Sequence, residues 1–479
     1  MTETILAIDI GTSSIKLLLV SRDGDVLARR RISHDTSHPV PEAAEQDPDV
    51  WWSNLADGIR HVTRVIRAGI SALAVTGQMH GLVVHDAQGH VLRPAITWQD
   101  RRSESTLPHL LDSLAPVTPP VSAGFQAASW HWLAQAEPAV GARAQRVLLP
   151  KDEIIYRLTD RHVTDPSDAV GTGWFDPIAG TWDRRTVETA GARIDLLPEI
   201  VPSGSIVGEL PPHAAMQLGL TPGIPVVIAG GDAAVGAFGA GATHESTPLL
   251  MLSTGCQLLV PTDETPSGND HRWALWPAAT VPGHAPWLRV GATLNGGSAI
   301  GWARSTFGDH LAPPDDSGPM FVPYLAGERF PVSRSSSTGA FFHLGGHHGP
   351  GHLLRAVFDG VALATADALA AMGGALSTDV PLLVGGGGVR DDAWVAAIST
   401  AFDRPLRVVS EADLSAWGAA RLAASCLGWM DPNDEPEAWL PPIGETERPA
   451  MAEGMALSRL ERFRLLAKLV GLTDEGGNG

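Results

Sequence analysis

A hairpin built around an aspartate constrains this chain more than any other feature. Ile5–Ile10 is an apolar run that carries Asp9 near its end, Gly11-Thr12-Ser13-Ser14 supplies a turn, and Ile15–Val20 comes immediately after. Asp23-Gly24 is a further hairpin signal before Val26–Arg30. The chain therefore opens as a three-stranded meander. A dinucleotide-binding fingerprint would lead from strand to helix, and this turn leads from strand to strand. Small residues here let backbone amides and hydroxyls converge on an anion beside the Asp9 carboxylate. An ordinary tight turn formed by Asp and Ser is the plain alternative.

Periodicity organises the rest of the chain. Trp51, Leu55, Ile59, Val62 and Ile66 fall at helical spacing, with Asp47 or Asp49 as the N-cap. Ala72–Thr76 reads as a buried strand that runs into Gly77-Gln78-Met79-His80-Gly81. A hairpin is expected from Leu82–His85 to His90–Leu92, and residues 107–212 read as mixed helix and loop. Val226–Ala229 leads into Gly230-Gly231-Asp232 and an Ala/Gly-rich helix, Ala233–Gly241. A small polar junction near Gly241–Thr247 divides the chain into expected domains 1–243 and 244–479. Beyond it, Leu249–Leu252 runs into Ser253-Thr254-Gly255, a weak echo of the Asp9 turn. Then come a long helix (Leu353–Met372), a strand (Pro381–Val384), four glycines (Gly385–Gly388) and a helix from about Asp391. The tail, Leu457–Leu472, is a basic amphipathic helix expected to pack back on its own domain rather than on a membrane.

Composition narrows the function. With 479 residues, 44% hydrophobic and 18% charged, the chain is a globular protein of two or three domains. A net charge of -19 disfavours nucleic acid and anionic membranes as partners. It leaves room for an anionic nucleotide held locally by backbone amides and a metal ion. Lys16, Lys151 and Lys468 are the only lysines, which reads as coding bias. Cys256 and Cys426 have no metal-ligand spacing and read as reduced, buried thiols. The N-terminus lacks a signal-peptide pattern and no apolar run is long enough to span a membrane, so the cytoplasm is the expected location.

Each remaining motif has two readings. Asp232, after two glycines and at a helix start, is equally compatible with an N-cap and with a general base taking a proton from an attacking hydroxyl. His80 reads alone as structural. Trp98-Gln99-Asp100-Arg101-Arg102 combines an aromatic, a carboxylate and guanidinium groups suited to a polyol, or forms a surface ion pair. The Gly385–Gly388 run is a flexible turn or a surface against which adenine lies.

Taken in order, AIDIGTSSIK, VTGQMHGLV, AITWQDRRS, LLPKDEIIYRLTD, TDPSDAVGTGWFD, IAGGDAAVGAFGAG, LSTGCQ, VPYLAGERFP and LVGGGGVRDDAW resemble the FGGY carbohydrate kinases almost end to end. The resemblance implies an α/β fold of two actin-like ATPase (ribonuclease H-like) domains with an interdomain cleft, sugar and ATP meeting inside it. It implies Asp232 as the proton acceptor and Asp9, with Asp232, near Mg²⁺. It places Met79, His80 and Gln78, with Trp98, Asp100 and Asp232, on the sugar. Gly11, Thr12, Ser13, Ser253, Thr254 and Gly255 then cradle phosphates, and Gly386 and Gly387 lie by the adenosine. Sugar and MgATP are the implied partners, with a homodimer as a possible assembly. Gly77–Gly81 and Ser167-Asp168-Ala169 look most like the xylulokinases, which makes D-xylulose the expected substrate. Ala233 stands where xylulokinases usually carry asparagine, and Leu294-Asn295-Gly296-Gly297 is similar to sedoheptulokinases. Kinases of sedoheptulose or ribulose, and a non-catalytic sugar sensor of the same fold, are the alternatives.

Overall fold

The first two strands of the meander are largely apolar on both faces, which suits strands covered on both sides, while the arginine-rich third is an exposed edge. The structure is a computed structural model. It describes residues 2–62, 67–114, 121–264, 274–281, 283–315, 317–325, 327–328, 330–331, 338–372, 382–411, 413–431, 437–446 and 455–472. Strand β1 (Thr4–Ile10) is buried throughout and pairs antiparallel with β2 (Ser14–Ser21), which pairs antiparallel with β3 (Val26–Ser33). Helix α1 (Pro48–Arg60) comes next, capped by Asp47, whose side chain accepts from the Asp49 amide. Ile66, expected on that helix, lies outside the described residues. Strand β4 (Ile70–Gly77) then joins parallel to β1. After helix α2 (Pro150–Thr159) come the edge strand β5 (Ser205–Glu209) and β6 (Pro225–Gly231), which runs parallel to β4. The sheet order is β5-β6-β4-β1-β2-β3.

Helix α3 (Asp232–Gly239) leaves this sheet, and the chain enters a second one at β7 (Leu249–Leu252). Strands β8 (Cys256–Thr262), β9 (Ala274–Pro277) and β10 (Trp287–Thr293) complete an antiparallel set. Helices α4 (Gly297–Phe307) and α5 (Pro350–Ala371) precede β11 (Leu382–Gly385), which is parallel to β7. Helix α6 (Asp392–Phe402), β12 (Leu406–Val409), helix α7 (Leu414–Cys426), β13 (Ile443–Glu445) and helix α8 (Met455–Leu472) finish the chain. The order is β9-β10-β8-β7-β11-β12-β13. Both sheets thus share a plan: an antiparallel meander, then two strands added parallel to the first. The faint likeness of the Asp9 and Ser253 turns reflects this repeated plan.

Alternation along the strands sorts the cores. Leu6, Ile8, Ile10, Leu73, Val75, Val226 and Ile228 face α1 and α2. Ile5, Ala7, Ala72, Ala74, Val227 and Ala229 face inward, in one cluster with α3, α7 and Leu249, Leu259 and Leu383 of the second sheet. Small alanines on this inner face leave room for two helices between the sheets. Helix α7, although late in the chain, packs on β1 and β4 of the first sheet. Bidentate Arg29–Glu411 contacts of 2.5 Å and an Arg31–Asp413 contact of 3.3 Å tie the segment before α7 to β3.

Several local expectations change. Val83–His85 pairs with Arg146–Leu148; toward His90–Leu92 it keeps only the turn and one bridge, because the better-buried partner lies elsewhere. Cys256 is buried, but Cys426 is exposed, since α7 ends there and its last turn leaves the interface. Pro381, expected to begin β11, lies outside the described residues. Helix α8 does pack on its own half: Phe463, Leu466, Ala467 and Val470 join Met320, Val322 and Leu363, and Arg459 pairs with Asp359 at 2.9 Å. No helix among the described residues is long and apolar enough to cross a membrane.

Candidate functional site

The C-terminal ends of β1, β4 and β6 bring three of the expected residues together, as parallel strands do in α/β sheets. Asp9 is 2% exposed, and its register partner on β2 is Lys16, whose ammonium lies 2.9 Å from Oδ2. Among the described residues, Asp9 Oδ1 has no hydrogen-bond partner. The next turn closes through Gly11 N–H to Ser14 O at 3.1 Å, leaving Ser13 exposed. Two side chains hold it from outside: Trp98 Nε1 donates to Thr12 Oγ1 at 2.9 Å, and Gln46 Nε2 donates to Thr12 O at 2.6 Å.

At the end of β6 the ladder slips between Ile228 and Gly230, and Gly230 adopts φ +141°, a region closed to other residues without strain. Gly231 takes the N-cap position, so Asp232 stands one residue inside α3 and is not the cap. The residue is half-buried, with its carboxyl crowded by protein. Burial first, and the charge of Asp9 second, push it up to about 7, against the opposing pull of Lys16 and the Ala233 amide. That range is where a general base works best near neutral pH.

Gln78, Met79 and His80 come directly after β4. Gln78 is buried and donates to Gln46 Oε1 at 3.0 Å. Met79 packs against Gly231, where an added Cβ would lie 3.0 Å from Met79 Cγ. His80 takes φ +71°, stacks on Phe125 at 4.5 Å, and contacts the Gly171 carbonyl through Nδ1 at 2.7 Å. Trp276 approaches it edge-on from the second sheet, at 6.2 Å. Trp98 is 46% exposed beside the Asp9 turn. Asp100 is buried, accepts from Ala44 N at 2.9 Å, and pairs with Arg102 at 2.6 Å. Its oxygens accept from within the protein here, where they support the Trp98 loop.

On the second sheet, the Ser253–Gly255 turn between β7 and β8 is stitched to the start of α4. Gly297 N–H donates to Ser253 O at 2.8 Å and Gly296 N–H to Thr254 O at 3.1 Å. Asn295 is buried and donates to Gly327 O at 2.7 Å. The Leu294–Gly297 stretch therefore shapes this turn and not the end where Met79 and His80 stand. Gly386, at φ +88°, lies against the Leu252 backbone, and Gly387 has open space around it.

The start of α7 joins these parts. Ser415 Oγ donates to the Asp232 carbonyl at 3.1 Å, Leu414 packs near Gly236 and Gly385, and the charge of Asp413 acts on Lys16. Sequence motifs missed Lys16, Phe125, Trp276 and Ser415. Only for Lys16 was there a signal: its period-two offset from Ser14 on the strand facing Asp9. Replacing Lys16 with Met removes a positive charge that holds the Asp232 pKa down. The acid limb of a kcat/KM–pH profile is expected to move to higher pH, and an unmoved limb would show that Lys16 does not act on Asp232.

A magnesium ion fits here. Mg²⁺ in phosphoryl transfer is held by one or two carboxylates, water and the phosphates. The unpartnered Asp9 Oδ1 beside the Asp232 carboxyl offers such a pair. The described residues contain no denser cluster of metal-binding side chains.

Known proteins match this chain over most of its length. Residues 4–239 match the profile of the FGGY family of carbohydrate kinases, N-terminal domain, and residues 250–427 match its C-terminal domain. A xylulose kinase of Escherichia coli K12 is 32% identical over 444 residues, covering 87% of this chain and 89% of that protein. The crystal structure of a xylulose kinase from Brucella ovis is 28% identical, with a TM-score of 0.87 over 98% of this chain and all of that one. A gluconate kinase from Lactobacillus acidophilus reaches a TM-score of 0.88 over 98% of each chain at 22% identity, a likeness of fold alone.

Proposed function

Because the chain belongs to the FGGY family of carbohydrate kinases, which are ATP-dependent phosphotransferases, we propose that it phosphorylates a ketose, D-xylulose to D-xylulose 5-phosphate. The observation that carries this reading is Asp232, half-buried, its carboxyl raised to about 7 by burial and the charge of Asp9, directly after the Gly231 on which Met79 packs. In the reaction the sugar hydroxyl oxygen forms a bond to the γ-phosphorus, the bond to the bridging oxygen breaks, and ADP leaves. Asp232 accepts the hydroxyl proton. Met79, His80 and Gln78 line the ketose, with Trp98 beside the Asp9 turn. Gly11, Thr12 and Ser13 with Ser253, Thr254 and Gly255 hold the phosphates through backbone donors, and Gly386 and Gly387 leave room for the adenosine. Asp9 and Asp232 would hold Mg²⁺, which would supply positive charge against the phosphates. Residues 1–243 and 244–479 act as the sugar-binding and nucleotide-binding domains, and their approach excludes water that would otherwise be phosphorylated.

The choice of D-xylulose is supported by relatives named xylulose kinase and by Gly77–Gly81 with Ser167-Asp168-Ala169. One observation favours a second reading: Ala233, half-buried beside Asp232, offers a sugar no polar side-chain group where xylulokinases usually carry asparagine. With MgATP and a coupled ADP assay, D-xylulose is expected to give the highest kcat/KM among D-xylulose, D-ribulose, L-ribulose, sedoheptulose, glycerol and gluconate. A clear preference for sedoheptulose would overturn the substrate and leave the chemistry in place.

A further inference from the structure

Against the Gly230-Gly231 turn before Asp232 lies a polar cluster to which the proposed reaction assigns no role. Lys151, Asp152, Asp165, Ser167 and Asp168 are all 0% exposed. The Lys151 ammonium contacts Asp152 and lies 3.0 Å from Asp165 Oδ1 and 3.2 Å from Asp168 Oδ2. Burying so many charges is costly unless their geometry is satisfied, and apolar residues of the same volume would serve stability as well or better. The cluster therefore calls for a purpose other than filling the core.

Its outlet is one hydrogen bond. Asp165 Oδ2 accepts from Ser167 Oγ at 2.5 Å, from Ser167 N at 3.0 Å and from Ser203 Oγ at 2.7 Å. The Ser167 hydroxyl donates to Asp165 Oδ2, so its proton points toward that carboxyl. The oxygen lone pairs are then turned to Gly231, whose N–H donates to Ser167 Oγ at 3.1 Å. Gly231 is the N-cap of α3, so this N–H has no partner within the helix. The neighbouring Gly230 carbonyl accepts from Thr76 Oγ1 at 2.8 Å. A Cβ at Gly230 would collide with Ser167 Oγ, so the glycine there permits the contact.

We propose that Ser167, oriented by Asp165 and Lys151, is a positioning residue that fixes the Gly230-Gly231 turn and thereby aims the Asp232 carboxyl at the sugar hydroxyl. The proposal rests on Asp232 being the base. Ser167 grips the Gly230–Gly231 peptide and Ser415 the carbonyl of Asp232 itself, so the backbone that carries the carboxyl is held on both sides. Loosening one grip misdirects the base without removing it, which affects turnover more than binding.

The test compares Ser167→Ala and Ser167→Thr with the parent enzyme, using steady-state kinetics on D-xylulose with MgATP and urea unfolding. Ser167→Ala is expected to lower kcat between about 10- and 100-fold, the scale of a misplaced catalytic group, with either KM within about threefold. Ser167→Thr, which keeps the hydroxyl, is expected to recover most of the loss. A Ser167→Ala enzyme that is less stable but turns over normally overturns the proposal, because the cluster is then structural only. If Ser167→Ala does not fold, Ser167→Cys keeps the volume with a weak acceptor, and the same loss in kcat or its absence decides the matter. The double variant separates the two roles. In an Asp232→Asn background, Ser167→Ala is expected to add nothing further. A further tenfold loss there overturns positioning and leaves the base reading intact, whereas normal turnover in Asp232→Asn alone overturns both.

Discussion

Asp232→Asn is expected to lower kcat by about 10³-fold, the middle of the range for losing a general base, while sugar binding measured by calorimetry changes little. The amide keeps the shape of the carboxyl but cannot take the proton, so binding and chemistry separate. The parent enzyme should show the same group in its pH dependence. Asp232 must be ionised to accept a proton, and burial with the nearby Asp9 charge holds it at about 7. Activity in kcat/KM therefore rises as pH passes upward through about 7 and falls away on the acid side. In Asp232→Asn that limb should vanish from the residual activity. An Asp232→Asn enzyme with near-normal kcat would falsify the assignment of the base.

Gly418→Val is expected to be the most damaging single change away from the reacting groups. Helices α3 and α7 meet backbone to backbone: a Cβ at Gly418 would strike Val235 O, and one at Gly239 would strike Leu414 O and Gly418 N. Backbone atoms cannot rotate aside, so the helices must separate, at a cost of about 3 kcal/mol for overpacking. The displacement also reaches chemistry, because Asp232 is the first residue of α3. A shift of even about 1 Å there can cost a hundredfold in rate. Urea unfolding and kcat together are the measurement. Gly301→Ala is the control, since that helical glycine has open space around its Cβ position. It should gain about 0.5–1 kcal/mol from helix propensity with kcat unchanged. Parent-like stability and turnover in Gly418→Val would show that the helices need not touch there.

These two residues mark how far the sequence could be read. Asp9, the glycine turn after it and the period-two runs on either side are local features, and they appear in the structure as β1, its turn and β2. The same holds for the Asp47 cap, the glycines before Asp232 and the tail helix. Phe125, Trp276 and Ser415 carried no comparable signal, because their importance comes from partners 45 to 196 residues away in the chain. Asp100 has partners of both kinds: Arg102, two residues on and within its own motif, pairs with it, while Ala44, 56 residues back, donates to it.

By itself, then, the sequence determined a strand–aspartate–turn–strand opening, a second hairpin turn in the other half, and an aspartate after two glycines at a helix start. Those come from propensity and pattern over a few residues, where the chain's own neighbours decide. Only the tertiary structure decided which face of each strand meets the inner helices and that α7 returns to the first sheet. It also decided that Asp232 is no cap, and that burial beside Asp9 raises its proton affinity. Each of these depends on solvent exclusion and on charges brought close by distant segments, and such terms exist only once the chain is packed.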